Sequence, residues 1–217
     1  MNNTVLSDLS YGLYIIGAKD DERNVGCVVN SLSQATSKPV TLTVCINKNN
    51  YTNVCIKKTK EFAVSIISEK VKEHLLGIFG FRSSKDNDKF FGIPYDLTPS
   101  GLPYIKEGVT GYIQCKVINL VDNYTHTIFI AEAQEAEILS QEPPMTYAYY
   151  RNVIKGKTPK NASTYKAETE NADHTKGSQI CCICGYEFTG GKEMFDKLPE
   201  EYRCPICKAP KNAFIFK

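Results

Sequence analysis

Alternation of apolar and polar positions organises the first two thirds of this chain. The run Val40–Asn47, VTLTVCIN, places apolar side chains at every second position, the period of a strand with one buried face. Thr127–Ile138, within HTIFIAEAQEAEI, does the same. Further runs rich in β-branched and aromatic residues occupy Tyr11–Ala18, Cys27–Asn30, Phe62–Ile67 and Gly111–Val121. Two segments carry helical spacing instead: YTNVCIKKT from Tyr51, and VKEHLLGIF over Val71–Phe79. Many strands with few helices predict a mainly β domain, a barrel or a sandwich.

The pattern then stops. From Gly156 to Ser178 the chain is polar, nearly free of large aliphatics and without period, which predicts a linker over 156–178 between a domain at 1–155 and a unit at 179–217. About 17 flexible residues there would have an r.m.s. reach of roughly 20–25 Å. Residues 1–150 hold fourteen basic against sixteen acidic side chains (net −2), and 179–217 hold six against five (net +1). Charges so small steer weakly, and the uncapped polar linker predicts a terminal unit free to move.

Composition narrows the class. At 217 residues, 42% hydrophobic and 23% charged, the chain suits one globular domain plus a small module. A net charge of +2, with basic residues scattered, gives no reason to expect nucleic acid or an anionic membrane as partner. No apolar run approaches the ~20 residues of a membrane span. The start, MNNTVLSDLSYG, lacks a cationic region followed by an apolar stretch, so a cytoplasmic protein is expected. Of nine cysteines, five crowd into 179–217, while Cys27, Cys45, Cys55 and Cys115 are dispersed and read as small buried apolar side chains. A reduced protein with a thiolate metal site fits this better than a disulfide scaffold.

The crowded cysteines form two CxxC knuckles, Cys181-Cys182-Ile183-Cys184 and Cys204-Pro205-Ile206-Cys207. Their separation suits four thiolates from Cys181, Cys184, Cys204 and Cys207 on one ion. Cys182 is out of register for ligation. Gly185 follows the first knuckle, where positive φ costs glycine almost nothing. A unit below about 40 residues usually needs a metal or a disulfide to hold it. Tetrahedral sulfur suits zinc or iron. In the first domain, Asn47-Lys48-Asn49-Asn50-Tyr51-Thr52 ends a strand and opens a helix, which fits either an anion at free backbone N–H groups or a capped helix.

Resemblance adds to these readings. I-C-x-x-C-G-Y-x-F, L-P-x-x-Y-x-C-P-x-C and P-K-x-x-F, with Tyr186, Phe188, Phe195, Tyr202 and Phe214 in the positions of an aromatic core, resemble a rubredoxin, which implies one iron ion. The loop between the knuckles is short for a free-standing rubredoxin, and Lys208 stands where glycine is usual. The first 165 residues resemble the flavin reductase family with its FMN-binding split β-barrel. That likeness rests on YGLYIIG, NVGCVVNSLSQAT, NKNNYT, FAVSIISE, FGFRSSKDNDKF, HTIFIAEA, YAYY and KGKTPKNASTY in that order. It implies that Asn30, Ser31 and Gln34 meet the isoalloxazine and ribityl chain. Lys48, Tyr51 and Thr52 would hold the phosphate, helped by Ser84 and Lys89, with His126 beside the flavin. Ser84 departs from a common glycine.

The order barrel, linker, rubredoxin resembles the high-molecular-weight rubredoxins. That architecture implies electron transfer from NADH or NADPH through FMN to a four-cysteine iron and on to a partner, a flavodiiron protein reducing nitric oxide or oxygen. No Gly-rich dinucleotide fingerprint is present, so nicotinamide would bind transiently over the flavin. The family implies a homodimer. Two alternatives stay open: a free flavin or ferric reductase using NAD(P)H, and a zinc-ribbon docking module on a non-catalytic barrel.

Overall fold

In a computed structural model, residues 3–165, 178–181, 183–184 and 186–216 are described. The expectations for Cys182, Gly185 and the linker beyond 165 lie outside them. After a 3-10 helix at Asn3–Asp8 come hairpin β1 (Tyr14–Asp20) and β2 (Arg23–Val29), then β3 (Leu32–Ser37) and β4 (Val40–Asn47). Helix α1 (Tyr51–Thr59), β5 (Glu61–Ile67) and α2 (Glu73–Phe81) follow. A short pair, β6 (Tyr95–Leu97) and β7 (Pro103–Ile105), precedes the long hairpin β8 (Val109–Asn123) and β9 (His126–Ile138), and α3 (Tyr147–Asn152) closes the domain. Seven strands form one antiparallel sheet ordered β2-β1-β5-β8-β9-β4-β3. Register shifts at Gln114/Cys115 and Val117/Asn119 bend the β8–β9 hairpin, so one sheet can wrap its own core.

The alternation predicted from sequence supplies that core. Val44 and Ile46 of β4, Phe129 and Ala131 of β9 and Phe62 and Val64 of β5 meet Cys55 and Ile56 of α1, all buried. Asn50 caps α1 by accepting from the Thr52 amide, and Lys60 at φ 62° ends it. A second cluster gathers Leu75, Leu76, Ile78 and Phe79 of α2 around Ile15, Ile67 and Met145. The β4 run has the predicted ends, and the other predicted strands and helices differ by a few residues at their ends. Strands β3, β6 and β7 and helix α3 were not predicted. The first, LSQATS, is a polar edge strand, mostly exposed, with no buried face to impose alternation.

The terminal module comprises β10 (Gln179–Cys181), β11 (Glu187–Phe188), α4 (Gly191–Asp196) and β12 (Phe214–Phe216), in sheet order β11-β10-β12. The predicted aromatics pack together: Phe195 lies 4.8 Å from Phe214, 5.3 Å from Phe188 and 5.8 Å from Tyr202, ring centre to ring centre. Lys208 takes φ 57°, the left-handed turn expected for a glycine. Its amide donates to the Cys204 carbonyl, 2.9 Å away.

Candidate cofactor cleft and metal centre

Cys181, Cys184, Cys204 and Cys207 are buried, and their sulfurs all lie within 4.8 Å of one another. The Cys181–Cys207 and Cys184–Cys204 sulfur pairs are 3.6 and 3.5 Å apart. Four sulfurs about 2.3 Å from one central ion stand about 3.8 Å apart, so the donor set fits a tetrahedral metal. Backbone amides face the sulfurs as the knuckle requires: that of Tyr186 donates to Cys184 Sγ, those of Ile206 and Cys207 to Cys204 Sγ, and that of Ala209 to Cys207 Sγ. The close Cys184–Cys204 contact raises the Cys184 thiol and lowers that of Cys204. One thiolate forms readily; ionising all four needs a cation among them.

The cleft lies where β2, β4 and α2 meet. Its apolar walls include Leu13, Val28, Leu76 and Phe81, and its polar edge includes Asn30, Ser31, Asn47 and Asn50. His126 joins it from the start of β9, because β9 pairs with β4 in a register that sets His126 opposite Asn47. Thr125 Oγ1 and His126 Nδ1 are 2.9 Å apart. Burial lowers the imidazole below its ordinary value, so it is neutral at pH 7. Apolar walls edged by amides and hydroxyls suit an aromatic ring system bearing a polar chain.

Of the flavin contacts expected from resemblance, Asn30, Ser31 and His126 line this cleft. Lys48, half-buried, falls between two wall residues, Asn47 and Asn50. Neither Lys48 nor the other five residues are in the lining. Gln34 is exposed on β3 and donates to the Thr36 carbonyl. Tyr51 donates its hydroxyl to Asp20, 2.8 Å away. Thr52 is fully buried at the first turn of α1, and its hydroxyl has no hydrogen-bond partner among the described residues. Ser84 and Lys89 are buried and converge on Gly26: Ser84 Oγ accepts from its amide at 3.1 Å, and Lys89 Nζ donates to its carbonyl at 2.9 Å. Lys89 also donates to Phe79 O at 3.0 Å, so its ammonium locks the 82–90 loop to β2 and α2. Burial lowers it from 10.5 to about 8.

Residues 158–164, expected as linker, fold back onto the cleft. Asn30 Nδ2 donates to Thr164 Oγ1 at 2.8 Å and Asn47 Nδ2 to Asn161 O at 3.1 Å. The sequence signal was KGKTPKNASTY, which carries the family resemblance although its composition reads as a linker. Tyr150, buried on α3, was quoted only within YAYY; its hydroxyl donates to Lys157 O at 2.8 Å. It lines the cleft and also a second cavity of about 270 Å³, which reaches Cys184.

A bent antiparallel barrel with such a cleft, carrying a buried four-thiolate site on the same chain, defines a protein with a candidate cofactor cleft and a candidate metal centre. The sequence profile of the flavin reductase like domain matches residues 6–157. The high molecular weight rubredoxin of Moorella thermoacetica is 41% identical over 226 residues, 99% of each chain. A ferric-chelate reductase (NAD(P)H) of Archaeoglobus fulgidus is 39% identical over 72% of this chain and 93% of its own. Among solved structures, a Streptomyces globisporus NADH:FAD oxidoreductase shares the fold, with TM-score 0.60 and 22% identity, covering 65% of this chain and 84% of its own. The chain belongs to the flavin reductase family, as one of the high-molecular-weight rubredoxins. It is an oxidoreductase, with a flavin-reductase barrel and a four-cysteine iron-binding module. No helix among the described residues is long and apolar enough to cross a membrane.

Proposed function

We propose that this chain takes electrons from NADH or NADPH at an FMN in the cleft and passes them singly to iron held by Cys181, Cys184, Cys204 and Cys207. From there they go to an acceptor protein, a flavodiiron protein reducing nitric oxide or oxygen. The observation that carries the reading is the placement of a complete, buried tetrahedral thiolate set on the same chain as a flavin-reductase cleft. A flavin accepts two electrons together and releases them one at a time, which a one-electron iron requires.

The chain's own residues do the rest. Asn30 and Ser31 would hydrogen-bond the ring edge and ribityl chain, with His126 beside the flavin. Lys48, beside the amide edge, supplies positive charge for the phosphate. The folded-back segment leaves a cavity of about 80 Å³ in the cleft, against roughly 300–1,000 Å³ for pockets of drug-sized ligands. To seat FMN, Thr164 would have to leave Asn30, freeing its amide for the flavin. Subunits pair as a homodimer, as the family resemblance implies, and sedimentation would show a mass of two chains.

Anaerobic stopped-flow with NADH and with NADPH tests the route. Flavin bleaching followed by loss of thiolate-to-iron charge-transfer absorption supports it; a colourless protein, or iron that stays ferric, sinks it. The Archaeoglobus relative favours ferric-chelate reduction as a second reading. Chelate reduction that survives Cys204→Ser at full rate would move the activity to the barrel alone.

A further inference from the structure

The polar linker predicts a module with no fixed seat, but the structure gives it one. Gly77 is buried in the middle of α2, and the second knuckle lies directly on it. A Cβ at this position would overlap the Ile206 carbonyl oxygen and come within 3.0 Å of the Cys207 Cα. Only glycine lets a helix and a knuckle backbone approach so closely. Phe81, one turn further along α2, packs into the same cluster as the four cysteines. Leu76, Phe81 and Tyr150 line both the cleft and the cavity that reaches Cys184 and Ile206. One layer of side chains therefore has the cleft on one side and the metal ligands on the other.

We propose that Gly77 is a positioning residue: it forms the seat on which the Cys204–Cys207 knuckle docks, and iron is reduced in this docked state. The inference rests on the flavin-to-iron reading above. The electrons balance: one NAD(P)H gives up a hydride, two ferric centres each take one electron, and one proton is released. Gly77 does not line the cleft, so it has no direct part in hydride entry.

Gly77→Ala forces the knuckle off its seat. Overpacking of this kind should lower the docked population, and with it the rate of iron reduction by NAD(P)H, about tenfold or more. The rate of flavin reduction should stay unchanged. Because a helix substitution can harm folding, Ile206→Lys on the module side is the second variant; it keeps all four ligands and should give the same split between the two rates. Amide hydrogen exchange on the full chain supplies a readout free of turnover: residues 73–81 and 204–209 should lose protection together in both variants. If both variants reduce iron at the wild-type rate and keep wild-type exchange, the docking inference falls and the functional reading stands. If wild-type iron is never reduced, the functional reading falls, and the inferred role of Gly77 with it.

Discussion

The barrel buries Phe62, Phe79 and Phe129, with a shell of isoleucines and valines, to almost no exposure, whereas the innermost atoms of the terminal module are four cysteine sulfurs flanked by rings. The barrel has about 160 residues over which to bury apolar area, enough for a core that stands without a ligand. The module has 39 residues, 179–217, and a three-stranded sheet of two- and three-residue strands. Its thiolates repel one another until a cation joins them, so metal binding and folding there are one event. Two units on one chain thus respond differently to the same treatment.

The sharpest test of that contrast is loss of a ligand. Cys204→Ser, or chelation of the metal, should remove on the order of 10 kcal/mol from the module and unfold it. The barrel's own transition should stay in place. A single shared unfolding transition in calorimetry, lost on chelation, would break the comparison and make the two units one cooperative body.

Lys89 sharpens the barrel side. Below pH 8 both folded and unfolded chains carry the ammonium, and the folded state bears the cost of burying it. Between about 8 and 10.5 the unfolded chain binds the extra proton, so stability rises with pH in that window. Relative to Lys89→Met, the wild type should gain on the order of 3 kcal/mol from pH 8 to 10.5, read as the difference between two denaturation series. A flat difference would show that its bonds to Gly26 and Phe79 hold the charge at no cost.

The smallest effect is expected at Lys208. A non-glycine residue at φ 57° costs roughly 1–2 kcal/mol. Less the roughly 0.5–1 kcal/mol of backbone entropy that glycine loses, Lys208→Gly should stabilise the metal-loaded module by about 0.5–1 kcal/mol and should slow release of iron to a chelator. The barrel's melting transition should not move.

How far these features were legible depends on the range of the force involved. The strand Val40–Asn47 and helix α1 were read with their ends nearly in place, because period and capping are written in adjacent residues. The two knuckles were equally plain, since tetrahedral coordination demands a fixed local spacing. Asn30, Ser31 and His126 were named through resemblance, and the structure puts them in one cleft although β2 and β9 lie far apart in sequence. Lys89, in SSKDNDKF, was expected through resemblance to help hold the phosphate; its place is set instead by the Gly26 carbonyl, 63 positions away.

By itself the sequence determined the mainly β class and the two CxxC knuckles that supply four thiolates, and resemblance added the aromatic core of the module. Those rest on periodicity, spacing and side-chain chemistry, which act over a few residues. Tertiary structure alone decided that Ser84 and Lys89 clamp β2, that residues 158–164 close on Asn30 and Asn47, and that the second knuckle sits on Gly77. Each is a contact between distant segments, and a polar residue carries no local sign of which carbonyl or backbone will come to meet it.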